Sequence, residues 1–144
     1  MSSGGEPTVE GVNTKEMSEY LVQTGIVFAL LFGSHARGTA HDSSDVDIAL
    51  QFPDDMDAHE RFRLRNRIDA HLQEYAEGFV DVSDISSLPT PVAHAALQDG
   101  IVLVGDEQAV KSYQEQVKQE YKATAADRER ERREFIDRLA RGDT

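Results

Sequence analysis

The chain carries fourteen aspartates in 144 residues, so a solvated surface is the default reading of any one of them. Two escape it through their spacing. From Asp45 to Phe52 the sequence alternates, with Val46, Ile48, Leu50 and Phe52 on one face and Asp45, Asp47, Ala49 and Gln51 on the other. This pattern predicts a half-buried strand with both carboxylates on its open side. Two carboxylates a few ångströms apart repel, and one pKa rises unless a cation relieves the repulsion. Magnesium suits such a pair, because it takes one or two carboxylates together with phosphate oxygens and water. A third carboxylate would complete a two-metal site and take the proton from an attacking hydroxyl. Asp81 is the candidate, in the stretch Phe79 to Ile85. With Val80 and Val82 facing inward it shares a face with Ser83. Asp84, three residues on and on the opposite face by alternation, is the alternative.

Ahead of the pair, an unbroken apolar run from Ile26 to Phe32 lies between Gly25 and Gly33, and predicts a strand buried on both faces. It ends in Gly33-Ser34, ten residues before Asp45. Glycine there lets the backbone approach a phosphate, amides at the following turn or helix start can donate to its oxygens, and Ser34 adds a hydroxyl. Gly33 to Leu50, GSHARGTAHDSSDVDIAL, thus reads Gly-Ser, ten residues, Asp-x-Asp. It resembles the signature of the DNA polymerase beta-like nucleotidyltransferases, and among them the minimal nucleotidyltransferases. The likeness is strongest over Leu31 to Leu50 and extends more loosely through FVDVSDI and GIVLV.

The resemblance implies a polymerase beta-like fold in which Asp45 and Asp47 bind magnesium, Ser34 and Gly33 meet the triphosphate, and Asp81 completes the metal site. It also implies a partner. Small members of that family serve as antitoxins beside a HEPN-type ribonuclease toxin, and some transfer AMP from ATP to a tyrosine of the toxin. Two alternatives stand beside this expectation: silencing of the partner by contact alone, and transfer to a small molecule such as an antibiotic.

The remaining elements must hold these residues in place. A helix is predicted over Thr14 to Thr24, with Met17, Tyr20 and Leu21 at helical spacing. Another is predicted over Ala58 to Ala76, with Ala58, Phe62, Ile68, Leu72, Tyr75 and Ala76 facing the core and Gly78 as its stop. Pro91 opens a short helix ending near Gly100, and Ile101 to Val104 makes a fourth strand. The fold class is therefore α/β, a mixed sheet of about four strands covered by helices. The chain divides into a disordered N-terminus over 1–12, a nucleotidyltransferase domain over 13–105 and a helical, charged C-terminal extension over 106–144. In that extension Val110, Tyr113, Val117 and Tyr121 form a packing stripe, whereas Phe135, Ile136 and Leu139 follow eight nearly all-charged residues.

Composition narrows the classes further. With no cysteine, thiolate metal sites and cysteine nucleophiles are excluded and a reducing cytoplasm is the expected home. Six Lys/Arg stand against nineteen Asp/Glu through Val110, and so acidic a body disfavours direct binding to nucleic acid. Acidity with four lysines against eleven arginines would suit a high-salt cytoplasm. Arg37 is placed to neutralise phosphate. His35, His41, His59 and His71 read as exposed, and Arg61, Arg63, Arg65 and Arg67 as a solvated helix face.

Overall fold

The computed structural model describes residues 9–41 and 44–142. Its centre is a four-stranded sheet made of β1 (Phe28–Phe32), β2 (Val46–Gln51), β3 (Val80–Asp84) and β4 (Ile101–Gly105). The strand order is β3-β2-β1-β4. β1 runs antiparallel to both neighbours and β2 runs parallel to β3, which makes the sheet mixed, as the pattern predicts. The parallel pair needs a crossover, and α3 (Ala58–Leu72) supplies it.

Alternation along the strands sorts the apolar side chains into two cores. Ala29, Leu31, Val46, Ile48, Leu50, Val80 and Val82 face Met17 and Leu21 of α1 (Thr14–Val22), and Leu64, Ile68 and Leu72 of α3. Phe28, Leu30 and Ala49 face the other way, onto Ala93, Ala96 and Leu97 of α4 (Thr90–Asp99) and Val117 of α5 (Glu107–Ala123). Each fully buried Leu, Ile or Phe contributes about 1.5–3 kcal/mol, so the helices are held mainly by the sheet's two faces. Local caps fix where they start: Asn13 accepts from Glu16 N at 3.1 Å, and Asp57 and Glu60 close a reciprocal box at 2.8 and 3.0 Å.

Several expectations need correction. Residues 1–8 lie outside the described ones, but Val9 to Val12 belong to the fold: Val12 bridges to Val9 and Ala76 and is buried. On α3 the core side is Leu64, Ile68 and Leu72, an i, i+4, i+8 stripe, whereas Phe62 is 57% exposed. The helix stops at Leu72 and a 3-10 turn, Gln73–Tyr75, carries the chain on. Ala49 is fully buried rather than on an open face, because α4 and α5 cover that part of the sheet. For the same reason α5 is part of the domain and not of an extension: Ala109, Val110, Tyr113 and Val117 all pack into the second core. The last helix, α6 (Ala125–Ala140), has no buried residue of its own.

α6 is anchored at its root. The Arg128 guanidinium lies 3.9 Å above the Tyr121 ring and donates to Tyr121 O at 3.0 Å and Thr124 Oγ1 at 2.6 Å. Phe135, Ile136 and Leu139 are each more than half exposed further along. The sheet's outer strands are also attended to. At the β3 edge, Gln73 Nε2 donates to Val80 O at 2.7 Å, Val80 N donates to Gln73 Oε1 at 3.0 Å, and Arg65 Nη1 donates to Val82 O at 3.0 Å. Arg61 donates to Met56 O at 2.9 Å, so two of the four arginines serve the fold rather than a purely solvated face. At the opposite edge the β1–β4 pairing shifts register between Ala29 and Leu30.

Candidate active site

β1 delivers the chain to Gly33, whose φ of 81° and ψ of −155° lie outside the range L side chains adopt easily. Space forbids a side chain as well, because a Cβ there would collide with Asp47 Oδ2. Gly33 thus brings the backbone against the Asp47 carboxylate. One turn of helix follows, α2 (Ser34–Arg37), closed by Gly38 at φ 75°. Amides of a first helical turn have no acceptor within the helix, so those at Ser34 and beyond suit phosphate oxygens. Thr39 N returns to Ser34 O at 3.0 Å and tightens the turn.

The carboxylates enter from two neighbouring strands. Asp47 of β2 is in register with Asp81 of β3 on one side and Phe32 of β1 on the other, and paired residues share a face. Asp45 lies just ahead of β2, exposed, as is Asp81; Asp47 is half-buried. Burial pushes the Asp47 carboxyl above the ordinary carboxylate range, and the charges of Asp81 and then Asp45 push it further, while His35 and Arg37 pull it back. The structure therefore brings Gly33, Ser34, Asp45, Asp47 and Asp81 to one end of the sheet. Asp84 goes elsewhere: its carboxylate accepts from Ser86 N at 2.9 Å and Ser86 Oγ at 2.7 Å and lies 3.6 Å from Arg61, so it is engaged in capping the next turn.

His35 departs from the expectation of a purely exposed loop residue. It is half-buried on α2, and its Nδ1 lies 3.1 Å from the main-chain oxygen of Asp45. The sequence held no signal for this contact, since the acceptor is a carbonyl ten residues away that any residue type would supply. His71 is exposed, as expected, and stacks on Tyr20 with ring centroids 3.8 Å apart.

Among the described residues no three His, Cys, Asp or Glu side chains enclose an ion by themselves. The donor set still fits magnesium, which takes few carboxylates and fills its octahedron with phosphate and water. The observation that tests the fit is the gathering of the Asp45 and Asp81 carboxylates about the half-buried Asp47, whose like charges a divalent cation relieves.

Residues 15–109 match the family model described as Polymerase beta, Nucleotidyltransferase. The chain belongs to this nucleotidyltransferase family. The match begins in α1 and ends in α5, so it takes in the whole sheet and every carboxylate above. Within the family, the protein adenylyltransferase MntA of Shewanella oneidensis is 33% identical over 78 residues, 54% of this chain and 53% of the relative. The aligned part of the chain thus spans about half the length of that nucleotidyltransferase. Among solved structures, a chain of a toxin-antitoxin crystal structure with AMP-PNP superposes with a TM-score of 0.64 at 26% identity, covering 88% of this chain and 98% of that one. A chain from a complex of tri-AMPylated Shewanella oneidensis HEPN toxin with MNT antitoxin gives a TM-score of 0.59 at 21% identity over 88% and 98%, a likeness of fold. No helix among the described residues is long and apolar enough to cross a membrane.

Proposed function

We propose that this chain transfers AMP from ATP, with magnesium, to a tyrosine hydroxyl of a partner HEPN-type toxin and so acts as its antitoxin in the cytoplasm. The observation that carries the reading is the row Asp47–Asp81 with Asp45 beside it, set against the Gly33–Ser34 turn. The adenylyltransferase name of the MntA relative and the AMP-PNP in the similar toxin-antitoxin structure support the choice of nucleotide and acceptor. Asp45, Asp47 and Asp81 would hold the magnesium, and Gly33 and Ser34 the triphosphate. When bound, the metal neutralises phosphate charge and orients the triphosphate. Asp81, exposed on the outer strand of the row, would take the hydroxyl proton of the acceptor. The attacking oxygen bonds to the α-phosphorus as pyrophosphate leaves.

Holding the acceptor oxygen in line contributes on the order of 7–11 kcal/mol in well-oriented cases. The exposed stripe Phe135, Ile136 and Leu139 on α6 is the surface proposed to hold the toxin for this step. The same stripe favours a second reading, in which contact alone silences the toxin. Mixing the chain with the HEPN protein encoded beside it, ATP and magnesium separates the two. Intact mass spectrometry should find one or more AMP units on the toxin, and none with the Asp45→Asn, Asp47→Asn double variant. Truncation before Asp127 should slow the transfer while leaving ATP binding unchanged. A toxin blocked without any gain in mass makes contact the mechanism.

A further inference from the structure

We infer that His35 is a positioning residue that ties the Gly33–Ser34 turn to the strand bearing the carboxylates, and that it does so through Nδ1. The need for a tie follows from the construction of the turn. α2 is four residues long, and one helical turn has little stability of its own. Between α2 and Asp45 the described residues 38–41 and 44 form no helix or strand. Among the described residues, two close approaches cross from the turn to β2 and its entrance. One is the bare Cα of Gly33 against the Asp47 carboxylate, which is steric and has no preferred direction. The other is His35 Nδ1 on the carbonyl oxygen of Asp45 at 3.1 Å, which is directional and fixes both distance and angle.

A carbonyl only accepts, so Nδ1 carries the proton in this contact. The bond ends on the main chain of Asp45 and leaves that carboxylate free for other work. It therefore sets where the turn that meets the triphosphate stands relative to the residues that hold the metal. His35 also lines a cavity of about 470 Å³ with His41, Ser44 and Glu77, which offers a rival role for the ring, contact between Nε2 and something bound there.

The two roles are separable by geometry. An asparagine amide nitrogen stands the same number of bonds from Cβ as Nδ1, and a glutamine amide nitrogen reaches toward the place of Nε2. The inference rests on the nucleotidyl-transfer reading, so transfer by the unaltered chain to its toxin is measured first. Its absence refutes that reading without touching the tether, which imidazole nitrogen NMR of the labelled chain tests independently. There Nδ1 of His35 should carry a proton, and an unprotonated Nδ1 overturns the inference. In transfer assays His35→Ala and His35→Gln should lose about tenfold to a hundredfold in kcat, the scale of a misplacement of about an ångström, with KM for ATP changed less than threefold. His35→Asn should restore most of kcat. Affinity for AMP-PNP with magnesium, read by calorimetry, should move little in all three. Full kcat in the alanine variant, rescue by glutamine instead of asparagine, or equal loss in all three each overturns the tether. If His35→Ala fails to fold, the asparagine and glutamine pair and the NMR spectrum still decide.

Discussion

Asp47 and Ala49 point from the same strand to the same face of the sheet, two residues apart, yet they live in different worlds. Ala49 is fully buried under α4 and α5 with Phe28, Leu30 and Leu97. Asp47 stands at the rim, half-buried between the Gly33 turn and Asp81. On the opposite face of the same strand Val46, Ile48 and Leu50 are all fully buried, in the core shared with α1 and α3. One face of one strand thus supplies both a packed floor and an open shelf of carboxylates. The lesson is that the candidate site is defined by where burial of that face ends as much as by the residues it carries.

That contrast breaks most sharply if a carboxylate is moved two residues inward. Ala49→Asp would place an unpaired charge among apolar side chains, at several kcal/mol once the group relaxes or neutralises. The variant should be largely unfolded at neutral pH, as read by circular dichroism, and a melt unchanged from the unaltered chain would mean that the floor is wet.

Salt tests the acidic surface around the shelf. Across the body, acids outnumber bases by nineteen to six through Val110, whereas the floor is apolar and indifferent to ionic strength. If the surface acidity is an adaptation to high salt, the melting temperature should climb steeply as potassium chloride goes from dilute to molar, because screening removes self-repulsion. A flat or falling curve assigns the acidity another purpose.

The smallest effect sharpens the shelf itself. Because burial and the neighbouring carboxylates raise the folded pKa of Asp47 above its unfolded value, the folded state binds the proton more tightly. This contribution to stability therefore falls as pH rises from the ordinary carboxylate range through the raised pKa. Without metal, Asp47→Asn should melt slightly higher than the unaltered chain at neutral pH, and the gap should close in acid. Magnesium should narrow it from the other direction. A lower melting temperature at neutral pH would show that the charge is already compensated.

Much of this architecture was legible because strands announce themselves by alternation and bounded apolar runs. All four lie within a few residues of where Ile26 to Phe32, Asp45 to Phe52, Phe79 to Ile85 and Ile101 to Val104 put them. The core side of α3 was not, since Phe62 is larger than Leu64 and competes with it for the same reading, while only the packing of Leu64, Ile68 and Leu72 against the sheet decides between them. Burial of Ala49 depended on α4 and α5, which are distant in sequence, and alternation alone left its face open. The register that sets Asp47 beside Asp81 depends on strand pairing across the α3 crossover. Alternation indicated the face of Asp81 but could not name its neighbour. His35 was hidden for a different reason, because its partner is a main-chain atom.

The outer rims of the sheet carry a last consequence. A parallel edge strand such as β3 presents a row of peptide groups on which a second chain can add a strand. Here the amide of Gln73 meets both the N–H and the carbonyl of Val80, as a neighbouring peptide would, and Arg65 occupies the carbonyl of Val82. At the far edge the shift between Ala29 and Leu30 disturbs the regular ladder through which β4 joins the sheet. Addition of a further strand at either rim is thereby hindered, by side chains at one edge and by an irregular ladder at the other.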